Sequence, residues 1–339
     1  MNITFLDACY SRKTSHTPVW YMRQAGRYLP QYRKLKEKYT IVQIIKNPEL
    51  AAKVALQPVD ILGVDAAILF ADIMTPLIGV GWDLEIVENI GPVMKHPITS
   101  LQDIDKLRVL RPTEDIAYLL QTISILKKEL KKNVPLIGFS AAPFTLASYM
   151  IEGKPTRDFI KTKSFMYQNT SAWNVLMDRL STMIITYLTS QIVTGVQAIQ
   201  LFDSWVGCLS PQDYSEYVLP YTTRIFESLT SSSIPRIHFG TNTAGFLSSF
   251  ASVACEVVGI DWRLSIENAW QQIGHTKAIQ GNLDPTLLLS DFSIIKKHVD
   301  EIFSNLPKRE GYIFNVGHGI LPGTPVATIQ KLTEYVHLC

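Results

Sequence analysis

Short apolar runs of strand length recur along the whole chain, separated by longer segments whose apolar positions have a helical spacing. Most of the short runs are continuous, which is typical of parallel strands that are buried on both faces. We predict strands at residues 19–22, 66–70, 136–139, 198–202, 236–239, 257–260, 278–280 and 313–316.

The segments between these runs carry helix signals. In four places a residue that can cap a helix precedes a proline, which is well tolerated at the first helical position. These pairs are Asn47-Pro48, Ser210-Pro211, Asp284-Pro285 and Thr324-Pro325. Apolar positions spaced by three and four between Trp173 and Tyr187 predict the longest helix, with Gly195 at its end. The long connection 79–112 needs extra helices or a hairpin.

Strands that alternate with helices predict an α/β protein with a parallel sheet and right-handed crossovers. Eight candidate strands favour a closed barrel over an open doubly wound sheet, and no linker divides the chain. We therefore expect a single (β/α)8 barrel of the TIM type over residues 1–339, with its active-site cleft at the C-terminal ends of the strands.

Composition narrows the partners. The chain is 47% hydrophobic and 18% charged, with a formal net charge of +2, so neither nucleic acid nor an anionic membrane is expected to bind it. The apolar region 183–202 contains several polar side chains and predicts a buried helix leading into a strand, not a membrane span. No signal peptide is expected. The widely spaced cysteines predict reduced thiols in a cytoplasmic protein; they are Cys9, Cys208, Cys255 and Cys339.

Polar side chains follow nearly every predicted strand, where a parallel barrel gathers its reactive groups. A barrel without a site would also place some polar residues there. In chain order the residues are Arg23, Gln24, Arg27, Asp72, Tyr149, Asp203, Ser204, Asp261, Trp262, Asn282 and His318.

The densest polar segment is PVWYMRQAGRYLPQYR at residues 18–33. Guanidinium groups form bidentate hydrogen bonds with carboxylates or phosphates and keep their charge. The competing interpretation is a solvated basic loop. Ala25 and Gly26 keep the backbone slim between Arg23 and Arg27, which favours a site that a ligand approaches closely.

This segment and six others resemble, in the same order, the sequence of the uroporphyrinogen decarboxylase family. The others are LGVDAAILFADI at 62–73, APFTLASYMIEG at 142–153, QLFDSWVGCLSPQDY at 200–214, GIDWR at 259–263, QGNLDP at 280–285 and FNVGHGILPGTP at 314–325. One short motif can arise by chance, whereas seven in register indicate a family.

The resemblance implies an enzyme that converts the four acetate side chains of uroporphyrinogen III to methyl groups, giving coproporphyrinogen III and four molecules of carbon dioxide in heme biosynthesis. It also implies no metal, no organic cofactor and a homodimer. Asp72 matches the family's site aspartate, whose carboxylate can accept several pyrrole N–H groups and stabilise the cation formed when a pyrrole carbon is protonated. The competing role for Asp72 is a cap of the next helix.

The resemblance assigns catalysis to Asp72 and Arg23 and leaves the identity of the general acid open. Arg33 is expected at the surface, and Asp203 stays outside the catalytic set. Ala71, Ala141 and Lys36 depart from residues common in the family without removing a site residue. The residues assigned to substrate binding are Arg23, Gln24, Ala25, Gly26, Arg27, Asp72, Tyr149, Ser204 and His318.

Three other functions compete with this interpretation. A zinc-dependent methyltransferase of the same superfamily would need a His-x-Cys pair, but Gly240 follows His238 at that spacing. A barrel enzyme for a phosphorylated substrate could use Gly317-His318-Gly319 as its phosphate loop, yet this leaves the arginines and Asp72 unexplained. A tetrapyrrole carrier could keep the pocket without turnover.

Overall fold

The computed structural model describes residues 3–88 and 90–339. Its strands are β1 Ala67–Ile68, β2 Leu84–Val87, β3 Gly91–Met94, β4 Leu136–Ala141, β5 Ala198–Asp203, β6 Arg236–Gly240, β7 Val257–Gly259, β8 Ala278–Leu283 and β9 Tyr312–Val316. Seven of them form a parallel sheet in the order β1-β4-β5-β6-β7-β8-β9. The strands β2 and β3 form a separate antiparallel hairpin.

Helices connect the parallel strands. The α-helices are α1 Thr4–Cys9, α2 Pro30–Lys36, α3 Ile41–Ile45, α4 Pro48–Leu62, α5 Thr75–Gly79, α6 Leu101–Asp105, α7 Pro112–Asp115, α8 Ala117–Glu129, α9 Pro143–Glu152, α10 Ile160–Gln168, α11 Thr170–Thr194, α12 Pro211–Tyr217, α13 Leu219–Ser228, α14 Leu247–Phe250, α15 Ile266–Gln272, α16 Phe292–Ser304 and α17 Val326–Leu338. Short 3₁₀ helices lie at Val206–Cys208, Ala244–Phe246 and Pro285–Leu289. Among the described helices, none combines the length and apolarity that a membrane crossing requires.

The α/β class and seven of the eight predicted strands are confirmed, including the short run 278–280, which belongs to a six-residue strand. The prediction of a strand at 19–22 is wrong, because only Val19 forms a bridge, with Phe314 of β9. Side chains take the backbone N–H groups that a ladder would use. Val19 N–H donates to Asp65, Tyr21 N–H to Gln24 and Met22 N–H to Asn315.

This segment nevertheless lies between the two edge strands of the sheet. On one side, Phe314 N–H donates to the Pro18 carbonyl at 2.9 Å. On the other, Asp65 N–H donates to the Val19 carbonyl at 2.8 Å, just before β1 begins. The segment therefore carries the Arg23 turn to a place beside both β9 and β1.

Most helix boundaries follow the predicted signals. Asn47, Ser210 and Asp284 each accept a backbone N–H at the start of a helix, and Gly195 ends the 25-residue α11 with φ +124°. The prediction for Thr324 is wrong: α17 begins at Val326, Pro325 is the N-cap residue, and the buried Thr324 hydroxyl has no partner within the described residues. The connection 79–112 contains the predicted hairpin and the short helix α6.

The inner face of the sheet surrounds a small apolar cluster at the N-terminal ends of the strands. Helix α1 contributes to it with Phe5, Ala8 and Cys9, and so closes that end of the curled sheet. The strand residues in the cluster are Ile137, Ala198, Ile237, Phe239, Val257, Ala278 and Ile313. A larger core fills the space between the sheet and the helices. The opposite, C-terminal edge of the sheet is left for polar groups.

Candidate active site

The turn at Arg23 is strained, and its guanidinium has no partner in the part of the chain that the structure describes. Arg23 has φ +59°, a left-handed conformation that costs a non-glycine residue on the order of 1 kcal/mol or more. The side chain is exposed and makes no hydrogen bond or salt bridge within the described residues. Its aliphatic stem lies against Gly319, where a Cβ would come within 2.3 Å of Arg23 Cδ. Glycine at 319 is therefore required for Arg23 to lie along this loop.

Gln24 has a structural role in this turn. It is completely buried, its Oε1 accepts the Tyr21 N–H at 3.1 Å, and its Nε2 donates to the Ala66 carbonyl at 3.0 Å. Any contact of Gln24 with a ligand would thus use its backbone. Gly26 allows a close approach of the turn to itself, because a Cβ there would lie 2.8 Å from the Arg23 carbonyl oxygen. The neighbouring Ala25 is half-buried.

Asp72 follows β1 at the C-terminal edge of the sheet. Its Oδ1 accepts the Met74 N–H at 2.8 Å, so it does cap the turn that leads into α5. Its Oδ2 makes no hydrogen bond within the described residues and is not sealed from solvent. Burial raises the pKa of Asp72, although the Met74 N–H and the charge of Arg23 act in the opposite direction. Capping and availability to a ligand are therefore compatible.

Tyr149 lies on α9, the helix that follows β4. It is 7% exposed, and its ring packs edge-on against Trp205 with 5.9 Å between centroids. Burial raises the pKa of Tyr149 to about 12, and the negative charge of Asp72 acts in the same direction. The phenol therefore stays a neutral hydrogen-bonding group at neutral pH. Trp205, which follows Ser204 in one of the family-like motifs, was not among the predicted site residues.

His318 lies two residues beyond β9 and is held between two tightly packed glycines. A Cβ at Gly317 would come within 2.6 Å of the Trp262 nitrogen, so these glycines serve close packing and not a positive φ. Burial lowers the pKa of His318 to about 4, and the charge of Arg23 adds to the effect. At neutral pH the side chain is an uncharged imidazole.

Arg263 is a further cation near His318. It is the last residue of the GIDWR segment and was not predicted as a site residue. Its guanidinium stacks over Trp262 at 4.4 Å from the ring centroid and forms a salt bridge with Asp261, whose side chain is 5% exposed. Asp261 also accepts the Asn242 N–H at 2.7 Å, and its own carbonyl accepts from Asn282 at 2.9 Å. Polar residues from the predicted strand exits thus form one hydrogen-bonded group here.

Asp203 and Ser204, at the end of β5, are arranged differently. Asp203 is completely buried, accepts the Thr145 hydroxyl at 3.0 Å, and leaves Oδ2 without a partner within the described residues. Burial raises the pKa of Asp203 to about 7, opposed by the Thr145 hydrogen bond. Ser204 is half-buried and its carbonyl accepts from Thr241 at 2.7 Å, so its hydroxyl is the part that remains for a ligand.

Electrostatic effects show which of the predicted residues lie together. The positive charge of Arg23 acts to lower the pKa of Asp72, Tyr149 and His318, although burial raises the pKa of the first two overall. Burial raises the pKa of Tyr32 to about 12. The charge of Arg27 acts to lower this pKa, and the charge of Asp72 acts to raise it. Arg23, Arg27, Asp72, Tyr149 and His318 therefore lie near one another. Arg33 is exposed, as expected.

The environment of His238 does not suit a catalytic zinc ion. Its ring stacks on Phe250 at 3.6 Å, its Nδ1 lies 3.1 Å from the Phe250 carbonyl oxygen, and burial lowers its pKa to about 3. Within the described part of the chain, His238 belongs to no cluster of metal-ligating side chains.

Solved structures with the same fold define the class of protein. A methyltransferase from Methanosarcina mazei aligns with a TM-score of 0.79 at 18% identity, over 98% of this chain and 97% of that one. A B12-independent methionine synthase from Shewanella sp. W3-18-1 aligns with a TM-score of 0.58 at 9% identity, over 88% and 90%. At these identities the likeness shows the fold alone. Fold and site together indicate an α/β protein with polar groups at the carboxyl edge of a curled parallel sheet.

Sequence relatives identify the family. The family model described as uroporphyrinogen decarboxylase (URO-D) matches residues 1–338. A uroporphyrinogen decarboxylase from Bacillus subtilis is 51% identical over 99% of this chain and 95% of its own length. One from Carboxydothermus hydrogenoformans is 48% identical over 99% and 96%. The chain belongs to the uroporphyrinogen decarboxylase family, and it is an enzyme of heme biosynthesis.

Proposed function

We propose that Asp72 binds the centre of the uroporphyrinogen macrocycle and that the surrounding cations and hydrogen-bonding groups bind its carboxylates. The reaction of the family removes carbon dioxide from four acetate side chains and leaves methyl groups. Each decarboxylation needs an electron sink, which a pyrrole supplies after protonation at a ring carbon. The chain's contribution is to bind the substrate in one orientation and to stabilise the resulting positive charge.

Asp72 is suited to this task because its Oδ2 is free within the described residues while its Oδ1 is fixed by the Met74 N–H. An ionised carboxylate accepts several N–H groups at once. Hydrogen bonds from the pyrroles would favour the ionised form and so oppose the burial that raises the pKa of Asp72. A negative charge placed in advance then stabilises the cationic intermediate without reorganisation of solvent.

The substrate's carboxylates need cations and donors around this centre. Arg23 supports the proposal most directly, since its guanidinium has no protein partner within the described residues although its stem is held against Gly319. Neutral His318 and Tyr149 can donate hydrogen bonds without adding charge. Arg27 and the Ser204 hydroxyl complete the proposed set, with Gln24, Ala25 and Gly26 contributing backbone.

The observation that carries the proposal is the proximity of two groups: the Asp72 Oδ2 and the Arg23 guanidinium have no partner within the described residues, and the charge of Arg23 opposes the rise in the pKa of Asp72. Anaerobic measurement of carbon dioxide release from uroporphyrinogen III, with wild-type protein and the Asp72→Asn variant, tests it. We expect Asp72→Asn to keep the fold and to lose nearly all turnover. A folded variant with near-normal turnover would overturn the role given to Asp72.

We also propose that the chain forms one domain with a closed eight-stranded barrel. In this barrel, residues 18–22 take the place of the eighth strand. Hydrogen bonds of this segment to Phe314 on one side and Asp65 on the other support it. Amide hydrogen exchange can test it. The amides of Val19 and Phe314 should be protected to a similar degree as those of β8, whereas rapid exchange at both would argue for an open sheet.

We further propose a cytoplasmic homodimer, on the resemblance to the family. The four cysteines lie within the described residues and are all free thiols, which supports a reducing compartment. Light scattering coupled to size-exclusion chromatography should give twice the 38.2 kDa mass of the chain. A monomeric mass at assay concentration would overturn the dimer and leave the role of Asp72 untouched.

A further inference from the structure

Three ligand-type side chains meet at the N-terminal edge of the sheet, opposite the proposed active site. His16 Nε2 lies 2.8 Å from Asp65 Oδ1, and His337 Nε2 lies 2.8 Å from Asp65 Oδ2. The ligand atoms of the three residues all lie within 4.8 Å of one another. Asp65 precedes β1, His337 is in the last turn of α17, and His16 belongs to the loop after α1. We propose that these residues form a binding site for a divalent transition-metal cation of the zinc type.

The donor set matches this class of ion. Two imidazole nitrogens and one carboxylate oxygen are ligands that Zn²⁺ accepts in tetrahedral sites, with water in the fourth position. Ligand atoms at about 2.0–2.1 Å from a tetrahedral ion lie roughly 3.3 Å apart. The one N···O pair that includes the coordinating carboxylate oxygen would open by roughly 0.5 Å, and the other ligand atoms, which lie within 4.8 Å of one another, would move closer together. Such changes need only small rotations of the side chains.

The surroundings already supply groups that orient the ligands. His16 Nδ1 lies 3.0 Å from Ser15 Oγ, and Asp65 Oδ2 also accepts the Val19 N–H at 2.7 Å. When a cation binds a neutral histidine through Nε2, the ring proton resides on Nδ1, and Ser15 Oγ can accept it from His16. A neutral imidazole exchanges its proton between the two nitrogens through water, and a protonated one releases one proton to the solvent when the cation binds.

The site is open to solvent but held by ordered elements. The side chains of His16, Asp65 and His337 are 28%, 14% and 27% exposed, so a hydrated ion can enter and retain one water. A bound ion would tie the loop after α1 and the last helix to the segment just before β1. The expected consequence is a higher unfolding temperature without a change in catalysis, because Asp72 lies beyond the opposite end of β1.

Titration of the chelator-treated full-length protein with Zn²⁺ by isothermal calorimetry tests the site, with Co²⁺ as a spectroscopic probe. We expect one high-affinity site per chain and the intense visible absorption of four-coordinate cobalt. His337→Ala and His16→Ala should each weaken binding by about 100-fold or more. Ser15→Ala, which removes only the group that orients His16, should weaken it by roughly 10-fold.

Controls separate this site from adventitious binding. Cys339 is an exposed thiol two residues from His337, so Cys339→Ser must retain the zinc affinity. His96→Ala, at a side chain that is 82% exposed, should behave as wild type. Circular dichroism establishes that each variant is folded. If His337→Ala does not fold, His16→Ala is used for the comparison of zinc affinity instead. Zinc affinity equal in wild type and the folded histidine variants, or lost in Cys339→Ser, would overturn the proposal.

Discussion

The aspartates on the two sides of β1 differ in how many hydrogen bonds their carboxylates accept. Before the strand, Asp65 accepts hydrogen bonds from His16, His337 and the Val19 N–H, so both its oxygens are occupied. After the strand, Asp72 accepts one, from the Met74 N–H. Burial pushes both pKa values upward, but the histidine hydrogen bonds bring the pKa of Asp65 below its ordinary value, whereas that of Asp72 stays raised.

The difference shows how one strand serves both stability and function. A carboxylate whose oxygens are both satisfied by the protein holds segments together, and a ligand reaches it only by replacing one of those hydrogen bonds, as the proposed cation would do at Asp65. A carboxylate that is fixed at one oxygen and free at the other keeps its orientation and can accept new donors. The strained backbone of Arg23 lies at the same end as Asp72, where unfavourable local conformations are expected in a functional site.

The largest effect should come from Asp72→Asn. Loss of the charge should reduce kcat/KM by about 10²–10³-fold, which corresponds to about 3–4 kcal/mol of transition-state stabilisation by analogy with single oxyanion-hole donors. Stability to urea should change little, because Asn can still accept the Met74 N–H. A stability loss that matches the loss of activity would assign Asp72 a structural role and erase the contrast with Asp65.

Asp65→Asn should have the reverse profile. An amide cannot accept from both histidines, and the partly buried charge is lost, so the free energy of unfolding should fall by about 2–3 kcal/mol. The folded fraction should keep its kcat and KM, measured well below the unfolding temperature. Asp60→Asn, at an exposed position on α4, is the matched control and should change neither property. A catalytic defect in folded Asp65→Asn would show that the two ends are coupled.

Arg23→Lys tests whether the Arg23 guanidinium, which has no partner within the described residues, binds the substrate. Lysine keeps the charge but cannot form a bidentate pair with a carboxylate, so kcat/KM should fall by about 10-fold to 100-fold, or about 2 kcal/mol. Arg33→Lys lies in the same segment at an exposed position and should be silent. Equal effects of the two substitutions would indicate that general positive charge, and not Arg23 itself, attracts the substrate.

The smallest effect concerns pH. His318 has its pKa lowered to about 4 in the folded protein, so the unfolded chain binds a proton first as the pH falls below 6.5. This residue's contribution to stability is therefore complete above pH 6.5 and is lost between pH 6.5 and 4. By pH 5.5 the loss should be about 1 kcal/mol.

His318→Gln should reduce the difference in unfolding free energy between pH 7.5 and 5.5 by about that amount. The exposed His96, replaced by glutamine, is the control and should leave the difference unchanged. An unchanged pH dependence in His318→Gln would mean that this imidazole is protonated as easily in the folded protein as in the unfolded chain.

Much of the fold was predictable because buried parallel strands and capped helices leave local signals. Seven strands, the C-terminal end of α11 and three of the four helix caps follow from such patterns. The strand prediction at 19–22 failed for a reason that is mainly non-local. The run 19–22 is apolar enough for a strand, but Asp65, Gln24 and Asn315 take its backbone donors from 46, 3 and 293 residues away.

For the site, the family motifs supplied the residues, and the structure supplied their relations. Arg23 lies near Asp72, Tyr149 and His318, as its charge effects on their pKa values indicate. The side chain of Gln24 instead points into the protein. Arg263 stacks over Trp262 in the GIDWR segment, where only Asp261 and Trp262 were predicted as polar strand exits. No local pattern marks the cluster at the N-terminal edge, since His16, Asp65 and His337 are separated by 49 and 272 residues.

Hydrophobic periodicity, caps and motifs are properties of neighbouring residues, and for that reason the α/β class, the order of strands along the chain and the family could be predicted before any contact was known. The folded arrangement was needed to learn which of the two aspartates flanking β1 has both carboxylate oxygens hydrogen-bonded within the described residues and which has one of them free. That choice depends on donors brought from the first loop and the last helix, and on burial that no stretch of sequence possesses before the chain has folded.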